Sequence, residues 1–107
     1  MKIFEIKCDS FDTCKSKAFD IFADAKKKGL DPLMIQLAGF KGDIKQADPR
    51  WQKLGHPEHW SHYVVAIDGV VYDPTADQFV PNMPKKYSIL RIMDLWRQHY
   101  PIDDPML

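Results

Sequence analysis

The sequence predicts an α+β fold: one amphipathic helix near the start, a small antiparallel β-sheet after it, and a second helix to close the chain. Two stretches predict this. Residues 13–28 carry apolar side chains at helical spacing. Residues 62–75, His-Tyr-Val-Val-Ala-Ile-Asp-Gly-Val-Val-Tyr-Asp-Pro-Thr, alternate about an Asp-Gly pair as a β-hairpin does. The length of 107 residues suits one domain, and 45% hydrophobic content supports a single core. We place that domain at 1–101, followed by a tail at 102–107 that contains Asp103, Asp104 and Pro105.

The elements follow in order. Ile3, Phe4 and Ile6 alternate with Lys2, Glu5 and Lys7, which predicts a short strand or extended lead-in over 2–8. Asp12 is the expected N-cap of the first helix, with Ser10 and Thr13 as alternatives. The helix is expected over 13–28, with Cys14, Ala18, Ile21, Phe22 and Ala25 on one face and Phe19 extending it. Lys26, Lys27 and Lys28 suit the negative end of the helix dipole, and Gly29 suits the C′ position. After Pro32, residues 33–38 read as a mostly buried strand ended by Gly39.

Residues 39–61 have no clear period, and hold Trp51, Trp60, His56 and His59 along with Gly42, Pro49, Gly55 and Pro57. A stretch of that length is expected to be a functional loop or a lid. In the hairpin, an Asp68-Gly69 type I′ turn pairs Ile67 with Val70, Ala66 with Val71, Val65 with Tyr72 and Val64 with Asp73. His62, Val64, Ala66, Val71 and Asp73 then share one face. Residues 76–86 are an expected connector. Residues 87–100 are expected to be helical, with a Leu90, Met93 and Trp96 stripe flanked by Ile89, Ile92 and Tyr100, and Pro101 as the stop.

Composition narrows the function. Fifteen basic and fifteen acidic residues leave no electrostatic case for nucleic acid or an anionic membrane. No apolar run reaches the length of a membrane span, and the charges in Met1–Lys7 leave no room for an apolar leader, so a cytoplasmic setting is expected. Two cysteines, Cys8 and Cys14, are too few for a disulfide framework. Cys8 is expected in the core. A Cys8–Cys14 disulfide, in an oxidising setting, would silence the Cys14 thiol.

Three residues together suggest chemistry. Cys14, near a helix start, meets spare N–H groups and the positive end of the dipole, which favour the nucleophilic thiolate. His62 opens a strand, and Asp73 lies diagonally across the hairpin on the same face, where a carboxylate orients an imidazole and stabilises its cation. Each has a plainer reading alone: a small buried hydrophobe, an ordinary histidine, a turn residue. Their order and shared face make a set for nucleophilic acyl transfer, with Cys14 attacking, His62 carrying the proton and Asp73 orienting His62. His56, His59 and His62 with Cys14 number enough for a zinc site. Pro57 opposes a helix that would present all three histidines, and the hairpin already uses His62, so neither metal nor cofactor is expected. Trp51 and Trp60 are candidates to wall a substrate groove, with packing beneath a long loop as the alternative.

The cysteine at a helix start, the histidine at a strand start and the Tyr72-Asp73-Pro74-Thr75 run after the Asp-Gly turn resemble the papain-like and transglutaminase-like superfamily. The likeness is greatest to its small bacterial branch of papain-fold toxins and deamidases, and it covers about residues 8–80. The resemblance implies a papain-like fold, with Cys14 as nucleophile, His62 as base and Asp73 as orienting acid. It also implies a cysteine hydrolase or acyltransferase (peptidase, deamidase or transglutaminase-like). The neutral surface and the tryptophan-bearing loop fit a protein or peptide substrate better than a small metabolite. The chain departs from the pattern at two points. No Gln precedes Cys14, where many members carry one as a side-chain oxyanion donor, and Lys15 follows it in place of an aromatic or small residue. A chain that kept this fold without catalysis would act as a protein-binding module or inhibitor.

Overall fold

The computed structural model describes residues 11–101. The strand expected over 2–8, Cys8, Ser10 and the tail at 102–107 lie outside the described residues. The described chain is a small α+β domain. Its first helix, α1 (Cys14–Lys27), bears the cysteine. The strands are β1 (Leu33–Ala38), β2 (Ser61–Ile67), β3 (Val70–Tyr72) and β4 (Lys86–Ser88), which form one open antiparallel sheet in chain order. Two short helices, α2 (Pro49–Gln52) and α3 (Ile92–Trp96), complete it. No helix among the described residues is long and apolar enough to cross a membrane.

Helix α1 ends as expected. Gly29 takes φ +79, Gly29 N–H donates to Lys26 O at 3.1 Å, and Leu30 N–H donates to Ala25 O at 3.0 Å. Together these form a Schellman motif, which glycine permits because it has no Cβ to strain. At the other end the cap is one of the alternatives, not the preferred Asp12. Thr13 holds the N-cap position, so Cys14 is the first helical residue. Asp12 turns left-handed instead, with φ 52, and its N–H leaves the helix to donate to Gln78 Oε1 at 3.1 Å. Cys14, Ala18 and Ala25 are buried, whereas Phe19 is exposed and does not extend the apolar face.

The β2–β3 hairpin has the expected register: Ile67 opposite Val70, Ala66 opposite Val71, Val65 opposite Tyr72. Asp68 and Gly69 have φ 51 and 79, the left-handed pair that a type I′ turn requires. Helix α1 lies against the face of β2 that carries Tyr63, Val65 and Ile67. The opposite face, with Ile35, Leu37, Val64, Ala66, Val71 and Tyr87, meets the main core. Because β1 is an edge strand, its burial alternates, with Ile35 and Leu37 inward and Leu33, Gln36 and Ala38 exposed. It is half-buried where a mostly buried strand was expected.

Two other regions correct the sequence reading. Residues 39–61 are a folded part of the core, with helical turns at Ile44–Gln46, Pro49–Gln52 and Pro57–His59. Aromatic packing holds this stretch down: Phe40, Trp51 and Trp60 all contact the Phe79 ring, at centroid separations of 5.2, 4.8 and 5.4 Å. Tyr87, expected to begin a helix, pairs with Val71 in β4. The helical winding begins only after Ser88, whose hydroxyl accepts from Leu90 N–H at 3.3 Å, first as a 3₁₀ turn over Ile89–Arg91 and then as α3. Its buried side carries Ile92, Trp96 and Tyr100, four residues apart, while Leu90 of the expected stripe faces solvent.

Candidate functional site

His62 sits one residue into β2, on the sheet face opposite α1, and its side chain is 0% exposed. Asp73 follows directly after β3, also 0% exposed, with its N–H donated to Lys85 O at 2.8 Å. The hairpin register brings them together, and His62 Nε2 lies 2.6 Å from Asp73 Oδ1. The carboxylate accepts from that nitrogen, so the ring carries a proton on Nε2 and turns Nδ1 the other way. Behind the ring stands Trp96, at a centroid separation of 5.0 Å.

Cys14 reaches the same place from the start of α1. Its thiol lies 3.6 Å from Ser61 O, the carbonyl just before His62, and the cysteine is free. Burial pushes the thiol pKa up. The His62 hydrogen bond and charge, the Tyr63 backbone and the Gln78 side chain oppose this and bring it below the ordinary value. For His62, burial pushes the pKa down, but the Asp73 charge and hydrogen bond, with smaller help from Cys14, raise it from 6.5 to about 9. Burial lifts the Asp73 carboxyl above its usual range, opposed by His62. Its second oxygen, Oδ2, is buried without a hydrogen-bond partner among the described residues. The shifts of Cys14 and His62 both run toward their charged forms, with the buried Asp73 carboxyl beside the ring.

Gln78 is the fourth member, and sequence reasoning missed it. The chain leaves β3 through a turn closed by Ala76 N–H donating to Asp73 O, and then makes the 3₁₀ turn Ala76–Gln78. A 3₁₀ turn stacks residues three apart, and Thr75 and Gln78 are each 1% exposed. Gln78 Nε2 lies 3.2 Å from His62 Nδ1 and 3.3 Å from Thr75 Oγ1. A polar residue between Ala76 and Phe79 gives little signal in sequence, because it takes the tertiary fold to bury it.

Trp51 and Trp60 meet the site from behind. Trp51 donates its indole N–H to Gln78 Oε1 at 3.2 Å, and the Trp60 ring stacks on Phe79 at an interplanar angle of 12°. Both are buried, which leaves little of either indole open to a substrate. The His56 and His59 rings lie 5.8 Å apart on the surface, separate from the inward-turned His62. Among the described residues, no three His, Cys, Asp or Glu side chains converge as metal ligands would. No protein-family model, curated protein or solved structure matches the chain.

Proposed function

We propose that this domain is a papain-like cysteine hydrolase or acyltransferase that acts on an amide of a protein or peptide. The observation that carries the reading is the buried chain from Asp73 through His62 to Cys14, with a 2.6 Å bond at one end and a depressed thiol at the other. In the first step the Cys14 sulfur bonds to the amide carbonyl carbon, and its proton passes to His62 Nδ1. His62 returns that proton to the departing nitrogen as the C–N bond breaks, leaving a thioester on Cys14. Water or an amine then releases the acyl group. Peptide or isopeptide cleavage, glutamine deamidation and transglutamination share this path and differ in the amide that enters and the nucleophile that resolves it. The Cys14 N–H, first in α1, is a natural donor to the oxyanion, because a helix leaves its first N–H groups without intrahelical partners.

One observation favours a second reading, a binding module built on the same fold: Cys14 is only 6% exposed. An activated ester separates the two without knowledge of the substrate. p-Nitrophenyl acetate is expected to acetylate Cys14 at neutral pH, detected as a mass increase on the peptide containing Cys14, with that acylation lost in His62→Ala. A Cys14 that stays unmodified at neutral pH, while denatured protein reacts, would reject the hydrolase reading in favour of the binding module. Once acylation is found, ammonia release from protein glutamines separates deamidation from cleavage, which yields new amine ends.

A further inference from the structure

Gln78 holds a position that its hydrogen bonds dictate. Its Oε1 accepts from two donors on different segments, the backbone N–H of Asp12 at 3.1 Å and the indole N–H of Trp51 at 3.2 Å. Neither neighbour can accept a hydrogen bond at those atoms, so the amide has one orientation, with its NH₂ turned inward. One N–H faces Thr75 Oγ1, and the other faces His62 Nδ1. The main chain pins the residue too, since Asp48 N–H donates to Gln78 O at 3.0 Å.

An inward N–H beside Nδ1 suits only one state of the ring. When His62 is neutral, Nε2–H donates to Asp73 and the Nδ1 lone pair accepts from Gln78, while the Cys14 thiol has the Ser61 carbonyl as its acceptor. When the thiol proton moves to Nδ1, that nitrogen becomes a donor and faces another donor. From this geometry we infer that Gln78 is a two-position hydrogen-bond donor, serving His62 Nδ1 while the ring is neutral and the Cys14 sulfur once the ring is protonated.

The exchange balances. One proton moves from Cys14 Sγ to His62 Nδ1, the Gln78 N–H changes acceptor, and the Ser61 carbonyl gives up the thiol as its donor. The sulfur is anionic in the second state, and a bond to a charged acceptor is stronger than one to a neutral nitrogen. The switch therefore biases the pair toward thiolate and imidazolium, in accord with Gln78 being among the groups that depress the thiol. Gln78 is thus a positioning residue for proton transfer, held in its polarity by Trp51 and the Asp12 backbone. This inference rests on the pairing of Cys14 with His62 proposed above.

The test uses the full chain with Cys8→Ala, so that Cys14 alone reports. Thiolate ultraviolet absorbance is followed against pH, together with the side-chain NH₂ resonances of Gln78. The Gln78 resonances are expected to move with the thiol titration and to stay still in Cys14→Ser. Gln78→Met, unbranched and without a donor, is expected to raise the thiol midpoint and leave about tenfold less thiolate below it, the effect of one hydrogen bond to a charged group. Trp51→Phe, which removes one of the two donors fixing the amide, is expected to shift the midpoint less, in the same direction. A purely structural role would lower the melting temperature without moving the titration.

Resonances that ignore the thiol titration would overturn the inference even if Gln78→Met fails to fold. If His62→Ala raises the Cys14 midpoint while Gln78→Met leaves it in place, this inference falls and the Cys14–His62 pairing stands. If His62→Ala leaves the midpoint unchanged, both fall.

Discussion

Asp73→Asn is expected to raise the Cys14 thiol pKa without touching the cysteine. Asparagine still accepts a bond from His62 Nε2 but carries no charge, and the Asp73 charge is the largest influence raising the His62 pKa to about 9. Without it, burial dominates and pushes His62 below its ordinary value of 6.5. The ring is then neutral at physiological pH and no longer supports the thiolate. The proposed amide chemistry should fall by about 10²–10⁴-fold, the usual range for losing a positioned acid–base group.

The same substitution has a signature in stability. A group whose pKa is raised on folding contributes stability that is fully present below its unfolded value and is lost as pH rises through its folded value. For His62 that window runs from 6.5 to about 9, and the shift corresponds to roughly 3 kcal/mol. The depressed Cys14 thiol slopes the opposite way, since its contribution is lost as pH falls through its folded value. The comparison therefore belongs in a Cys14→Ala background. Urea midpoints measured there should fall as pH rises above 6.5 with Asp73 present, over a window narrowed by the loss of the Cys14 contribution, and stay nearly level in Asp73→Asn. Equal slopes in the two proteins would mean that the carboxylate does not hold the ring charged.

Trp96→Ala is expected to have the largest effect on folding, a loss of about 3–5 kcal/mol. Domains of this size are stable by only about 5–15 kcal/mol, so the variant would be close to unfolding. Trp96 is wholly buried and lies between the site and the C-terminal turn, with ring centroids 5.0 Å from His62 and 5.8 Å from Tyr100. Its indole N–H donates to Tyr87 Oη at 2.8 Å, which ties α3 to β4. Truncation opens a cavity behind the imidazole and removes the donor to a buried hydroxyl. Trp96→Phe should lose less, because it retains much of the ring volume and gives up mainly the hydrogen bond. Urea unfolding of the three proteins checks the order, and a Trp96→Ala protein as stable as the parent would contradict this account of the core.

Local chemistry made the hairpin legible. Asp68-Gly69 leaves little choice of turn, the turn sets the register, and the register places His62 beside Asp73. Helix α1 was legible for a similar reason, since its apolar spacing and Gly29 stop lie within the segment itself. The parts that misled depend on distant partners. Lys86-Tyr87-Ser88 is a strand because β3 offers an open edge, and nothing within those three residues shows it. The buried side of α3 is set by its hydrogen bond to Tyr87 and the packing of Trp96 on His62. For Trp51 and Trp60 the sequence left groove wall and packing beneath a loop both open, and the fold turns both rings into the core. Gln78 was invisible because its four side-chain hydrogen bonds join it to Asp12, Trp51, His62 and Thr75, three of them distant in sequence.

The measurement that tests the central claim most directly is the rate of Cys14 alkylation by iodoacetamide against pH. It is made in the full chain with Cys8→Ala, with His62 present and with His62→Ala. The account predicts a rate that stays high well below the ordinary thiol value of 9.0 and moves to higher pH when His62 is removed, because the imidazole charge and hydrogen bond that oppose burial are then gone. A Cys14 that titrates at or above 9.0 in both proteins would contradict the thiolate–imidazolium pair, and with it the proposed acyl transfer.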